Sequence, residues 1–95
     1  MDISKSDVVI STAGRDEGNL FYVVNTEENF VFIADGKHRK IENPKRKKLK
    51  HVRKVTRTES EVAQRMKSGD PVLNSELRRD LAARSQQFNS HNQGG

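Results

Sequence analysis

The chain has 95 residues, of which 32% are hydrophobic and 33% are charged, so there is room for one domain with a small core and not for two. It contains no cysteine, which excludes disulfides and thiolate metal sites, and its longest apolar runs, of five residues, are far shorter than a membrane-spanning helix. The first residues are polar and lack the apolar segment of a signal peptide, so we expect a soluble, cytoplasmic protein without a membrane partner.

Short runs of β-branched and aromatic residues in the first 55 positions are typical of strands. Gly14 and Gly18 lie between the first two runs and supply the positive φ angles that a turn requires. Asp35 followed by Gly36 predicts a tight turn after the third run. The predicted strands are residues 7–12, 20–25, 30–34, 37–41 and 49–55. Five short strands joined by tight turns predict a mainly β fold, built as a small barrel.

Positive charge is concentrated in the middle of the chain. Residues 1–36 carry two Lys and Arg against seven acids, residues 37–57 carry eleven against one, and residues 58–95 carry five of each. Pro44 ends the fourth predicted strand, and we expect residues 45–48 to form an exposed basic loop. A solubilising charged face is the simplest explanation, but such dense like charges repel, and the concentrated field favours a polyanionic partner.

A change of hydrophobic period after the basic segment predicts a helix. Thr58 and Glu61 match a capping box in which Thr58 is the N-cap. Val62 and Met66 are four residues apart and lie on one face of this helix, which ends at Gly69.

A second helix is predicted over residues 75–87, capped by Asn74 and carrying Leu77 and Leu81 on one face. Gln, Asn, Ser and Gly dominate the last residues, which predicts a disordered tail. The chain is therefore expected to divide into a barrel with its basic loop, a helical extension and a tail, at residues 1–57, 58–88 and 89–95.

The segment from Val8 to Gly18 resembles a KOW motif, which consists of a strand, a turn with a key glycine and a second strand. Gly18 matches the key glycine, and residues 20–24 match the second strand. Residues 32–36 and the basic stretch 45–50 resemble the KOW ribosomal proteins of the fourteen-e/six-e/twenty-seven-e group and the short bacterial KOW proteins similar to them.

This resemblance covers residues 5–55, just over half of the chain, and implies an SH3-like barrel that binds ribosomal or other structured RNA. The chain is much shorter than the long ribosomal members, and its two-helix extension differs from theirs. We expect an RNA-binding protein associated with the ribosome and monomeric when free. Because some KOW domains of transcription factors contact proteins, a protein-interaction adaptor of the transcription or translation machinery is the alternative.

The candidate RNA surface consists of the basic residues of the central segment and one arginine of the first turn. Phosphate contacts from such residues supply affinity but carry no sequence information. The candidates are Arg15, Lys37, His38, Arg39, Lys40, Lys45, Arg46, Lys47, Lys48, Lys50, Arg53 and Lys54. For Arg15, an ion pair with the adjacent Asp16 or Glu17 is as good an explanation as a contact with RNA. Alternate side chains of a strand face opposite ways, so about half of residues 49–55 must point elsewhere.

Four aromatic residues of the predicted strands are candidates for base stacking: Phe21, Tyr22, Phe30 and Phe32. With so few aromatics in the chain, we expect most of them to pack in the core. Tyr22 is the best candidate for an exposed stacking surface, because its hydroxyl tolerates water.

No constellation in the sequence indicates catalysis or metal binding. His38, His51 and His91 are too scattered for a metal site, although the first two lie in the basic segment and can contact RNA. No Ser/His/Asp arrangement is recognisable. We therefore expect a protein that is not an enzyme and has no metal, cofactor or small-molecule substrate, with Gly14, Gly18 and Gly36 as structural turn positions.

Overall fold

The computed structural model describes residues 3–55 and 60–93, with the side chains of residues 86–93 excepted. Within these ranges the fold is mainly β, with five strands followed by two helices. The elements are β1 (Val8–Ser11), β2 (Leu20–Thr26), β3 (Phe30–Ala34), β4 (Lys45–Lys48), a short 3-10 helix (Leu49–His51), β5 (Val52–Lys54), α1 (Glu61–Ser68) and α2 (Asn74–Gln93).

The five described strands form one antiparallel sheet in the order β4-β3-β2-β1-β5. Its two edge strands, β4 and β5, are consecutive in the chain and are separated by the 3-10 helix alone. Because three residues carry the chain from one edge of the sheet to the other, the sheet must curl until its edges approach each other. β4 and β5 do not pair, so the described sheet is curled but not closed.

Both faces of the sheet are covered by apolar side chains. One face forms an inner cluster of buried residues, namely Val9, Phe21, Val23, Val31, Ile33 and Val52. The other face packs against the helices in a second cluster, namely Val8, Tyr22, Ala34, Val62, Ala63, Met66, Leu77 and Leu81. Double burial explains why the strand sequences are continuous apolar runs without alternation, since both sets of side chains leave water.

Two predicted elements in the basic segment are wrong. Residues 37–41 form turns and no strand, because the Asp35 carboxylate accepts hydrogen bonds from the N–H groups of Lys37 and Arg39, both at 2.9 Å. Residues 45–48 form β4 and no loop, with Lys48 opposite Phe30. The backbone of β3 needs a partner on that side, and the charged stretch supplies it. The predicted last strand is also split, with its first residues in the 3-10 helix.

α1 begins two residues later than the predicted capping box implies. Ser60 is the N-cap, and its hydroxyl accepts a hydrogen bond of 3.0 Å from the N–H of Ala63. The predicted cap, Thr58, lies outside the described residues, as does the proposed boundary at residues 57–58. Gly69 ends the helix in a left-handed conformation with φ of 83°, as predicted.

α2 begins at the predicted cap, Asn74, and runs to Gln93, so residues 89–93 of the predicted tail lie in the helix. The side chain of Asn74 accepts a hydrogen bond from the N–H of Ile41 and donates one to Glu42, both at 2.8 Å. At the junction with α1, the Arg65 guanidinium donates two hydrogen bonds to the Glu76 carboxylate, of 2.6 and 2.8 Å. These bonds lower the pKa of Glu76 to about 2.

The helices therefore contribute to the core. Truncation of one buried leucine of α2 measures how much this contribution stabilises the fold. Leu77 is fully buried against the sheet, whereas Leu73, which precedes α2, is 63% exposed. We expect Leu77→Ala to lower the free energy of unfolding by about 2–5 kcal/mol and Leu73→Ala to change it by less than about 0.5 kcal/mol. Urea denaturation followed by circular dichroism checks this, and equal effects of the two substitutions would mean that α2 does not share the core.

Two turn glycines with positive φ differ in how closely other atoms approach them. A Cβ on Gly36 would lie 2.2 Å from the backbone oxygen of Asn74, whereas a Cβ on Gly18 would meet no atom within 4 Å. Both residues have left-handed backbone conformations, with φ of 78° and 90°. We expect Gly18→Ala to cost about 1–2 kcal/mol from backbone strain, and Gly36→Ala to cost at least about 2 kcal/mol more. Thermal melts of the two variants test this order, which the reverse result would refute.

Candidate nucleic-acid interface

A basic cleft lies between the turn of residues 14–19, the turn of residues 35–40, the start of β4 and one side of α2. It consists of two adjoining hollows of about 260 and 200 Å³ that share Asn19 and His38. The cationic and imidazole side chains that line this basic cleft are Arg15, Lys37, His38, Arg39, Lys45 and Arg78. The fold thus brings together five of the predicted candidates from three chain segments.

The turn of residues 35–40 is built on Asp35. Besides accepting the two backbone hydrogen bonds described above, its carboxylate lies 3.3 Å from Nδ1 of His38. Burial acts to raise the pKa of Asp35, but the hydrogen bonds from Arg39 and Lys37 outweigh it and hold the pKa below its ordinary value. The ionised carboxylate therefore fixes a turn whose basic side chains are exposed, namely Lys37, His38, Arg39 and Lys40.

Arg78 is a cleft residue that the sequence did not point to. Its guanidinium donates a hydrogen bond of 2.8 Å to the carbonyl oxygen of Gly36, which ties α2 to the turn. The sequence shows only that Arg78 follows a core leucine on a helix and lies off its apolar stripe. Nothing local indicates that this side of the helix faces a turn more than 35 residues earlier in the chain, so the packing of α2 decides the role of Arg78.

Lys47 is not available to a ligand, contrary to the prediction. It lies opposite Val31 on the inner face of the sheet and is 7% exposed. Its ammonium donates hydrogen bonds to the Asp16 carboxylate at 2.8 Å and to the carbonyl oxygen of Ala13 at 2.7 Å. The same carboxylate accepts hydrogen bonds from Ser11 at 2.7 Å and from Lys45 at 3.0 Å. Lys47 therefore anchors the first turn from inside.

Other predicted candidates lie outside the basic cleft. The guanidinium of Arg46 stacks over the Phe30 ring, 3.5 Å from its centroid, and lies 3.2 Å from the Glu27 carboxylate. Lys54, on β5, forms an ion pair of 3.5 Å with Asp7. Three further candidates are exposed at the end of β4, in the 3-10 helix and on β5, namely Lys48, Lys50 and Arg53. The predicted surface is therefore divided into a cleft and separate charged positions.

Tyr22 is not an exposed stacking surface, so this prediction is wrong. The residue is fully buried under the helices, and its hydroxyl donates a hydrogen bond to the Asp80 carboxylate and lies 3.0 Å from Oγ of Ser60. Burial is the main factor that raises the pKa of Tyr22. Phe21 is buried as predicted, whereas Phe30 and Phe32 are partly exposed.

The chain matches no protein-family model, and a comparison with curated proteins gave no match. Among the described residues, no group of three His, Asp or Glu side chains is placed to hold a metal ion. No helix in the described ranges combines the length and the apolar character that crossing a membrane requires. The geometry of the cleft is therefore the main guide to function.

The ion pair of Asp16 and Lys47 should be visible in the acid stability of the protein. Hydrogen bonds from Lys47, Ser11 and Lys45 outweigh the effect of burial and hold the pKa of Asp16 well below its ordinary value. Since the unfolded pKa is about 3.9, the native state binds fewer protons, and the pair stabilises the fold above pH ~4 and progressively less below it. We expect Asp16→Asn to lower the free energy of unfolding at pH 7 by about 3 kcal/mol.

The same substitution should make the loss of stability between pH 4 and pH 2 shallower than in the wild type, because one carboxylate no longer takes up a proton on unfolding. Glu17→Gln is the matched control, since it removes an adjacent but exposed carboxylate. Urea denaturation across this pH range measures both effects. Identical pH profiles for the wild type and Asp16→Asn would contradict the assignment of Asp16 as the anchor of Lys47.

Proposed function

We propose that the protein binds structured RNA through the basic cleft, as a binding protein and not as an enzyme. The observation that carries the proposal is the convergence of cationic side chains from the first turn, the second turn, β4 and α2 on one pair of hollows. Phosphate groups are the ligands that such a cleft favours, because fixed cations neutralise them at little reorganisation cost.

We also propose that the sheet is an SH3-like barrel of the KOW type. Support comes from the strand order, in which the terminal strand β5 pairs with β1, and from the short 3-10 helix that draws the two edges together. The resemblance of residues 5–55 to the KOW proteins supports the same fold. With that family as the guide, ribosomal RNA is the proposed source of the ligand and the ribosome the proposed partner.

Structured RNA fits the cleft better than a free small anion does. The Asp35 turn is held by hydrogen bonds from backbone N–H groups to the Asp35 carboxylate, and the first turn is anchored by Lys47, so the backbone positions from which the flanking cations extend are set before binding. The hollows are open to solvent, and the exposed cations continue beyond them to Lys40. A continuous phosphate backbone contacts such an extended surface, and it is recognised mainly by its shape.

A protein-interaction adaptor is the second candidate, and one observation favours it. The connection between α1 and α2 exposes Leu73, the large apolar side chain that is least covered among the described residues. It follows Val72, which is itself only partly buried against the core. An apolar side chain on a short connection between helices is a suitable contact for another protein.

Salt dependence of RNA binding distinguishes the two candidates. If the surface neutralises about 4–6 phosphates, the logarithm of the affinity should fall with the logarithm of salt concentration with a slope of about −3 to −5. We expect the double variant Lys37→Gln, Arg39→Gln to weaken binding to unrelated RNAs and to flatten this slope by about 1.5, since each contact contributes about 0.7–0.9. Fluorescence anisotropy with a labelled RNA hairpin between about 50 and 200 mM salt measures both quantities.

The matched control is the double variant Lys5→Gln, Lys67→Gln. It removes the same charge from two exposed positions, one shortly before β1 and one on α1. It should retain the wild-type slope to within about 0.5. A wild-type protein without salt-sensitive RNA binding would refute the proposed function and favour the adaptor. Co-sedimentation with ribosomes at low and high salt then tests the ribosome as the source of the RNA.

A further inference from the structure

A third hollow, with a different character from the two of the basic cleft, lies at the other end of β4. Its volume is about 520 Å³, and it is lined by Asn29, Phe30, Lys48, Leu49 and Lys50. An aromatic ring and a leucine form its wall, and two exposed lysines stand beside them. We call it the aromatic pocket. The sequence offers Phe30 for stacking and Lys48 and Lys50 for phosphate contacts, but it does not bring the three together, and none of them lines the basic cleft.

The wall of the aromatic pocket is fixed by contacts on both sides. The Arg46 guanidinium stacks on one face of the Phe30 ring and is itself paired with Glu27, and Arg46 is not among the residues that line the pocket. The N–H of Leu49 donates a hydrogen bond of 2.9 Å to the carbonyl oxygen of Asn29, which joins the 3-10 helix to the loop before β3. Leu49 also packs against the inner cluster of the sheet. The pocket therefore exists before any ligand binds.

We propose that the aromatic pocket binds an unpaired nucleobase of the RNA, stacked on Phe30, with the flanking phosphates neutralised by Lys48 and Lys50. This inference rests on the RNA-binding function proposed above. A nucleobase has the flat apolar face that the ring accepts, and it carries an anionic phosphate on each side, which matches the two lysines. An apolar protein side chain would use the ring and Leu49 but would leave both lysines without a counterpart.

The position of the aromatic pocket relative to the basic cleft supports the same occupant. Lys45 lines the cleft and Lys48 lines the pocket, at the two ends of one four-residue strand. They are three residue steps apart on an extended strand, which corresponds to roughly 10 Å. The two side chains leave opposite faces of β4, but β4 is an edge strand, so one RNA molecule that passes over this edge can place phosphates of a paired region in the cleft and an adjacent unpaired base in the pocket.

The test uses the full chain and two RNA hairpins, one with a single 2-aminopurine bulge and one fully paired. Stacking of one base contributes a preference of about 5- to 100-fold, so the wild type should bind the bulged hairpin more tightly by a factor in this range. The fluorescence of 2-aminopurine should also change on binding, because a base stacked on an aromatic ring is quenched. Phe30→Leu should abolish most of the preference and leave the affinity for the paired hairpin within about twofold.

The matched control is Phe32→Leu, which makes the same change two residues along β3, on the same side of the sheet and outside the pocket lining. It should retain the preference of the wild type. If Phe30→Leu does not fold, the variant Lys48→Gln, Lys50→Gln, which alters exposed positions, replaces it and should reduce the preference for the bulged hairpin.

The outcomes separate the two proposals. Salt-sensitive binding of both hairpins with equal affinity, without a fluorescence change, overturns the nucleobase site and leaves the RNA-binding function in place. Absence of binding to either hairpin overturns the RNA-binding function. A preference for the bulged hairpin that persists in both the Phe30 and the lysine variants also overturns the assignment of the pocket.

Discussion

Burial of both faces of a small curled sheet is the constraint on which the other features depend. The inner face is enclosed by the curl of the sheet, although its edges do not pair, and the outer face, which includes Tyr22, is covered by α1 and α2. The buried hydroxyl of Tyr22 then requires polar partners, and the Asp80 carboxylate and Ser60 provide them from the two helices. Helix packing in turn brings Asn74 against Gly36, and the cleft exists because that contact places α2 beside the second turn.

Ion pairs across the fold offset part of the separation of charge along the chain. Acids of the first third meet cations of the central segment in ion pairs, which are Asp7 with Lys54, Asp16 with Lys45 and Lys47, and Glu27 with Arg46. These pairs reduce the repulsion within the basic segment, and they give some of its side chains a structural role. Exposed cations outside these pairs include Arg15, Lys37, Arg39 and Lys40 at the two turns and Lys48 and Lys50 beside the aromatic pocket, whereas Arg53 lies apart on β5.

The basic composition of β4 serves two roles, as a protected edge of the sheet and as a source of cations on both faces. As an edge strand it presents unpaired backbone groups, and its lysine and arginine side chains oppose pairing with another chain. The same side chains alternate between the faces of the sheet, so that Lys45 and Lys47 point to Asp16 while Arg46 and Lys48 border Phe30. One four-residue strand thus links the interior anchor of the first turn with both proposed contact surfaces.

The sequence by itself determined the features that depend on neighbouring residues. The bounds of β3, the turn glycines and the helical period of Val62 and Met66 follow from local conformational preference and from spacing. The tertiary structure decided the features that depend on distant partners. A charged stretch became a strand because β3 needed a partner, Lys47 turned inward because the register set its face, and Arg78 joined the cleft because α2 packs on the sheet. Pairing register and helix packing are contacts between residues far apart in the chain, and no local pattern specifies them.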